Sequence, residues 1–223
     1  MKIQILISKN SWALKYVPFI KKRLIKFSNK IQVINDHKFL KKNYDINVIF
    51  SYFKILDKKF LNRSKSNLVI HASNLPNGRG MSPLTWQILD GKSLITFSLI
   101  EVNEKMDEGK YYFKKKVRIP KHYLFDEIKK LQLDQTLILI IKFLKVFKKN
   151  KMKLPHSYNQ IGKPSYFKKR TMEDSKLNVH KSLNSQFNKL RVCDNDNYPA
   201  FFILNKKKYV IKIYNKSKKN NEN

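Results

Sequence analysis

The chain has 223 residues, 42% of them hydrophobic, and its 48 Lys and Arg against 16 Asp and Glu give a formal net charge of +32. That apolar content supports a full core and excludes wholesale disorder, and the length suits one α/β domain with a small appendage. No apolar run reaches the roughly 18–20 residues of a membrane span; the longest, Leu137–Phe147, is interrupted by Lys142 and Lys145. In chain order, Lys2–Ile7 reads as a first strand, followed by turn and N-cap residues at Ser8–Ser11. Trp12–Phe27 has apolar residues at helical spacing, with Pro18 suited to the first turn of a helix. Lys30–Ile34, Asn47–Ser51 and Leu68–His71 are short apolar runs of the kind buried on both faces of a parallel sheet. A turn-rich stretch, Asn74–Gly80, precedes a helix over Pro83–Asp90 that Gly91 stops. Leu94–Glu101 and Tyr111–Arg118 read as strands, and Asp126–Lys148 as a long amphipathic helix.

The alternation of strand and helix predicts a Rossmann-like α/β fold, a mostly parallel sheet with helices on both faces. A composition change at Lys148–Lys153 marks a domain edge. Residues 1–150 form the main domain, and 151–215 an extension of polar loop, short helix near Ser182–Leu190 and β-hairpin. The hairpin pairs Phe201–Leu204 with Tyr209–Ile213 across Asn205–Lys208. Residues 216–223 read as a disordered tail.

The charge admits a polyanionic partner, but the excess is nearly all lysine. Lysine and asparagine are both abundant, as A/T-rich codons would make them, and a dedicated phosphate reader would carry more arginine. Solvated lysines and an anionic partner both remain open. The apolar opening Ile3–Ile7 is too short for a secretory signal, and Cys193, the one cysteine, allows no internal disulfide. Both fit a cytoplasmic protein. Five scattered histidines and a lone thiol give no metal-ligand spacing, so no metal is expected. The sequence also contains no phosphate loop of the Gly-x-x-x-x-Gly-Lys type.

His71 ends a buried strand and is followed at once by a turn, where ligands bind in open α/β sheets. The bland alternative is a core histidine bonded to a backbone carbonyl. Asp107, in the loop Glu104–Gly109 after a later strand, could reach the same crevice, although Asp-Glu-Gly alone is only a turn signal. Ser8-Lys9-Asn10-Ser11 opens a helix whose N–H groups would favour phosphate, with Lys9 adding charge; an ordinary capped helix reads equally well. Trp12 could stack on a base or sugar, or simply pack.

The segment His71-Ala-Ser73-Asn74-Leu75-Pro76, followed by Arg79-Gly80 and Ser82-Pro83, resembles the signature loop of the 10-formyltetrahydrofolate-dependent formyltransferases, which include methionyl-tRNA formyltransferases and sugar N-formyltransferases. The separation of Asp107 from His71 matches the family's spacing. Asp45–Leu56 resembles the strand and loop of the pteridine pocket. The resemblance covers roughly residues 1–145 and implies formyl transfer to an amine, with His71 and Asp107 catalytic. It also implies that Phe50, Ser51, Tyr52, Ile55 and Leu56 hold the folate co-substrate, and that Ser8, Lys9, Asn10, Trp12, Ser73 and Arg79 face the acceptor. The family's asparagine two positions before the histidine is replaced here by Val69. Asn67 lies about 13 Å further up the strand, and Asn74 follows in the turn.

The C-terminal segments around Tyr166–Ser175, Phe187–Arg191 and Tyr198–Phe202 resemble those after the catalytic domain in methionyl-tRNA and sugar formyltransferases. The residues after Pro199 suffice for a hairpin but not for a five-stranded barrel. The expected acceptor is therefore a small amine, that of a nucleotide-linked amino sugar, with methionyl-tRNA as the alternative. The apolar hairpin could pack on its own domain or across a homodimer. A third alternative, of another class, is an inactive formyltransferase-like protein that binds RNA.

Overall fold

A computed structural model describes residues 1–215. Its centre is a six-stranded sheet in the order β2–β1–β3–β4–β6–β7. The strands are β1 (Lys2–Ile7), β2 (Lys30–Ile34), β3 (Tyr44–Phe50), β4 (Ser64–His71), β6 (Leu94–Glu101) and β7 (Tyr111–Arg118). The first four pair in parallel, while β6 runs antiparallel to β4 and β7 antiparallel to β6. A short parallel pair joins β5 (Arg79–Gly80) to β8 (Tyr166–Phe167). The helices are α1 (Val17–Leu24), α2 (Lys58–Leu61), α3 (Pro83–Leu89), α4 (Phe125–Lys149) and α5 (Phe187–Arg191).

Side chains alternate across β1, so Ile3, Ile5 and Ile7 enter one core and Leu6 the other. The first core adds Ile20 and Leu24 of α1, Leu84 and Ile88 of α3, and Ile140, Phe143 and Phe147 of α4. Each such fully buried side chain contributes about 1.5–3 kcal/mol of transfer free energy. The opposite face is thinner: Leu6, Ile34, Leu40, Ile49 and Leu56 pack with Phe60 and Leu61 of the single-turn α2.

Strands β3 and β4 begin at Tyr44 and Ser64, before the apolar runs from Asn47 and Leu68 that mark them in the sequence. The strands also carry a polar row. Gln32, Gln4, Asn47 and Asn67 stand in register across β2, β1, β3 and β4. Asn47 donates to Asn67 (3.1 Å), and Gln4 exchanges two bonds with the backbone of Lys41. These bonds offset much of the cost of burying the amides, although Asn47 Oδ1 meets no partner.

Helix α1 is shorter than its periodicity, flanked by 3-10 turns at Leu14–Tyr16 and Ile25–Phe27, with Pro18 in its first turn. Trp12 therefore lies in the β1–α1 connection rather than on a helix. The hairpin also differs from expectation. Strands β9 (Ala200–Leu204) and β10 (Lys207–Ile211) are joined by Asn205-Lys206 alone, both at positive φ. This is the tight turn whose twist matches the strands, and it moves the second strand two residues earlier. The expected tail, 216–223, lies outside the described residues.

Candidate active site

Strands β3 and β4 end side by side at Phe50 and His71, which places His71 at the carboxyl edge of the parallel strands. The imidazole is only 7% exposed. Its Nε2 lies 2.7 Å from the Gly78 carbonyl, and since a carbonyl only accepts, Nε2 carries the proton and donates. Nδ1 is left facing Asp107, 3.4 Å from Oδ1. The bland expectation of a carbonyl-bonded histidine thus describes one nitrogen, and the acid-base expectation the other.

Asp107 is held from several sides. Its Oδ2 accepts from the Gly80 N–H (2.9 Å), and its backbone sits at φ 55°, a left-handed conformation that Asp tolerates. Gln160 donates to the carbonyls of Asp107 (2.7 Å) and Gly109 (2.8 Å). Gly109 presses on β6 so closely that a Cβ would stand 1.6 Å from the Glu101 carbonyl oxygen. Arg79, 9% exposed, donates to Glu108 (2.9 Å) and to Gln160 (2.9 Å). The extension after α4 thus clamps the loops that carry Gly78 and Asp107: Gly78 N–H donates to Ser165 Oγ, and Arg79 N–H to the Ser165 carbonyl. Nothing in the sequence singles out Gln160, because its partners are more than fifty positions away.

His71 and Asp107 open onto a cavity of about 290 Å³, at the lower end of ligand-pocket sizes. Phe50, Ser51, Tyr52, Ile55 and Leu56 line it together, with Phe53 and Met106 adding apolar surface. Trp12 lines it too. Ser8, Lys9, Asn10, Ser73 and Arg79 are not on its wall. Lys9 and Asn10 are exposed, Ser73 is buried, and Arg79 is spent on Glu108 and Gln160. Val69 is on the wall, whereas Asn67 belongs to the polar row and Asn74 accepts from Lys114 (2.9 Å). A different asparagine, Asn103, reaches the cavity from the loop after β6.

Three further lining residues come from α4: Lys129, Gln132 and Thr136. The sequence pattern presents them as the polar border of an amphipathic helix, and only the packing of α4 across the sheet turns them inward. Burial, with the nearby Arg170 charge adding to it, pushes the Lys129 amine down to about 8. Deeper in β6, burial raises the Glu101 carboxyl even though Ser66, Tyr112 and the Asn67 N–H all donate to it. No cluster of three or more His, Cys, Asp or Glu among the described residues could hold a metal ion. No described helix is long and apolar enough to cross a membrane.

The sequence and the fold both have relatives. Residues 2–144 match the model of a family described as formyl transferase. The methionyl-tRNA formyltransferase of Thermosipho melanesiensis is 31% identical over 170 residues, 76% of this chain and 53% of that protein. The chain thus spans about half the length of that relative. Among solved structures, a methionyl-tRNA formyltransferase from Clostridium thermocellum superposes with a TM-score of 0.72 at 22% identity, covering 95% of this chain and 99% of that one. A 4-N formyltransferase from Francisella tularensis gives 0.67 at 17% identity, with 95% and 97% covered. HypX from Aquifex aeolicus, solved in complex with tetrahydrofolic acid, gives 0.75 at 13% identity, with 94% and 37% covered.

Proposed function

Because this chain belongs to the formyl transferase family, we propose that it moves a formyl group from 10-formyltetrahydrofolate to a primary amine at the cavity where His71 faces Asp107. The observation that carries this reading is the shared wall. Two acid-base side chains 3.4 Å apart and the aromatic and apolar run Phe50–Leu56 line one cavity. The flat apolar faces of Phe50, Tyr52, Ile55 and Leu56 fit a bicyclic ring, and the folate co-substrate supplies an activated formyl carbon.

With Nε2 committed to Gly78, His71 Nδ1 has the free lone pair and takes a proton from the attacking amine. Asp107 Oδ1 beside it stabilises the imidazolium so formed. The same nitrogen can then return the proton toward the departing nitrogen of the donor. The Gly80 N–H holds the carboxylate and Gln160 the Asp107 backbone, so the group needs little reorganisation during the reaction.

For the acceptor, the relatives favour methionyl-tRNA over the amino sugar expected from the sequence. Curated methionyl-tRNA formyltransferases match about three quarters of the chain, and a net charge of +32 suits a polyanionic substrate. The amino-sugar reading keeps the support of the fold shared with a sugar N-formyltransferase from Shewanella, of which this chain covers 97%. The deciding experiment offers purified protein 10-formyltetrahydrofolate with methionyl-tRNA and, separately, with a nucleotide-linked 4-amino sugar. Formylmethionyl-tRNA is the expected product. Formylation of the sugar alone would transfer the assignment to that class. Absence of both products, with salt-sensitive binding to unrelated RNAs, would replace the enzyme by an RNA-binding relative.

A further inference from the structure

The reacting pair and the apolar run Phe50–Leu56 occupy one part of the cavity wall, and the part built by α4 has no role in the reaction derived so far. Helix α4 is otherwise a core element: Ile128, Leu133, Leu137 and Ile140 are all at most 3% exposed. Lys129, Gln132 and Thr136 interrupt that core at spacings of three and four, which brings them onto one helix face, and all three line the cavity. A polar stripe on a buried helix costs free energy unless something polar meets it. Lys129 donates to Gln132 Oε1 (3.1 Å). The amide N–H groups of Gln132 make no hydrogen bond to another described residue. Across from the stripe stands Trp12, with Lys129 Nζ 4.9 Å from its ring centre.

We infer that Lys129, Gln132 and Thr136, together with Trp12, form the subsite that receives the acceptor, with Lys129 binding a hydrogen-bond-accepting oxygen next to the acceptor's amine and Trp12 covering its flat or apolar face. This rests on the formyl-transfer reading above and adds the recognition element to it. The chemistry shared by the candidate acceptors is an oxygen beside a primary amine: the ester carbonyl of an aminoacyl group, or a hydroxyl of an amino sugar. A cation on this wall cannot bind the ammonium form of the acceptor. It disfavours that form by like charge, so the amine beside it is held in the neutral state that can attack. The partial burial of Lys129 strengthens both effects, because a half-desolvated charge is screened less.

The test is two-substrate kinetics on Lys129→Met, Lys129→Arg and Gln132→Leu, varying 10-formyltetrahydrofolate and each acceptor in turn, with methionyl-tRNA first. Binding of tetrahydrofolate alone is measured alongside, as a readout independent of turnover. Lys129→Met is expected to raise the acceptor KM about tenfold or more, the size of one charge-assisted hydrogen bond. The folate KM and tetrahydrofolate affinity stay near wild type, and Lys129→Arg restores most of the acceptor affinity. A rise in folate KM or loss of tetrahydrofolate binding instead would move the stripe to the donor side and overturn the inference. So would unchanged kinetics in both Lys129→Met and Gln132→Leu. Either result leaves formyl transfer by the wild type intact, so failure of the subsite is distinct from failure of the proposed reaction.

Discussion

The division of labour on the His71 ring follows from which atoms surround it. A carbonyl cannot donate, so the 2.7 Å contact with Gly78 fixes the proton on Nε2 and leaves Nδ1 facing Asp107. His71→Ala and Asp107→Asn should each lower kcat for formyl transfer by roughly 10²–10³-fold, about 2.7–4 kcal/mol of barrier. Tetrahydrofolate binding should fall far less, because the apolar part of the cavity, Phe50–Leu56, is untouched by either change. Wild-type turnover in either variant would remove that residue from the mechanism. Lys129 makes a second prediction, about pH. Its amine is pushed down to about 8, chiefly by burial and further by Arg170, against a smaller opposing effect of Asp194. Between that value and the ordinary 10.5 the unfolded chain binds the extra proton, so stability rises as pH rises through this window. Below it the full penalty of the charged amine is present. Lys129→Met should flatten the rise in melting temperature between pH 8 and 10.5; parallel curves for the two proteins would show that burial does not act on this amine.

At the scale of elements, the site depends on loops that are held rather than on strands that happen to end nearby. Gly109 lets the Asp107 loop lie against β6, where any Cβ would collide with the Glu101 carbonyl. Because the obstacle is backbone, the loop must move. Gly109→Ala should therefore cost activity comparable to loss of Asp107, and destabilise by about 1–3 kcal/mol as an overpacked contact. Gly91→Ala is the useful comparison, since its φ of 81° is strained for alanine but nothing lies within 4 Å. It should lower the melting temperature and leave kcat alone. Equal activity in the two variants would mean that the close approach of Gly109 does not position Asp107.

At the scale of the whole molecule, the extension after α4 is part of the active site's support. Ser165 and Gln160 reach back to the loops that carry Gly78 and Asp107, and α5 is tied to the start of α4 through Arg191. That guanidinium is 2% exposed and donates to the carbonyls of Pro120 (2.9 Å) and Tyr123 (3.4 Å). Arg191→Met keeps the volume but leaves buried carbonyls unpaired, at about 1–3 kcal/mol. A single cooperative transition at lower temperature is expected in calorimetry. Two separate transitions would mean that residues 151–215 unfold independently of the sheet.

The sequence by itself determined the strand and helix order, because periodicity is local, and the family, because its signature loop lies in consecutive residues; that His71 and Asp107 belong together was implied by the family resemblance. The same resemblance singled out Phe50–Leu56, and the structure has these neighbouring residues line one cavity. Only the tertiary structure decided which polar residues face inward. Asn67 breaks the apolar pattern yet accepts from Asn47 on the neighbouring strand, so β4 read from hydrophobicity alone starts too late. Arg79 looks free for substrate in the sequence but is consumed by Glu108 and Gln160. Lys129 looks like a solvated lysine and instead lines the cavity. In each case the deciding partner lies far away along the chain, and pairing energies across such distances leave no mark on local composition.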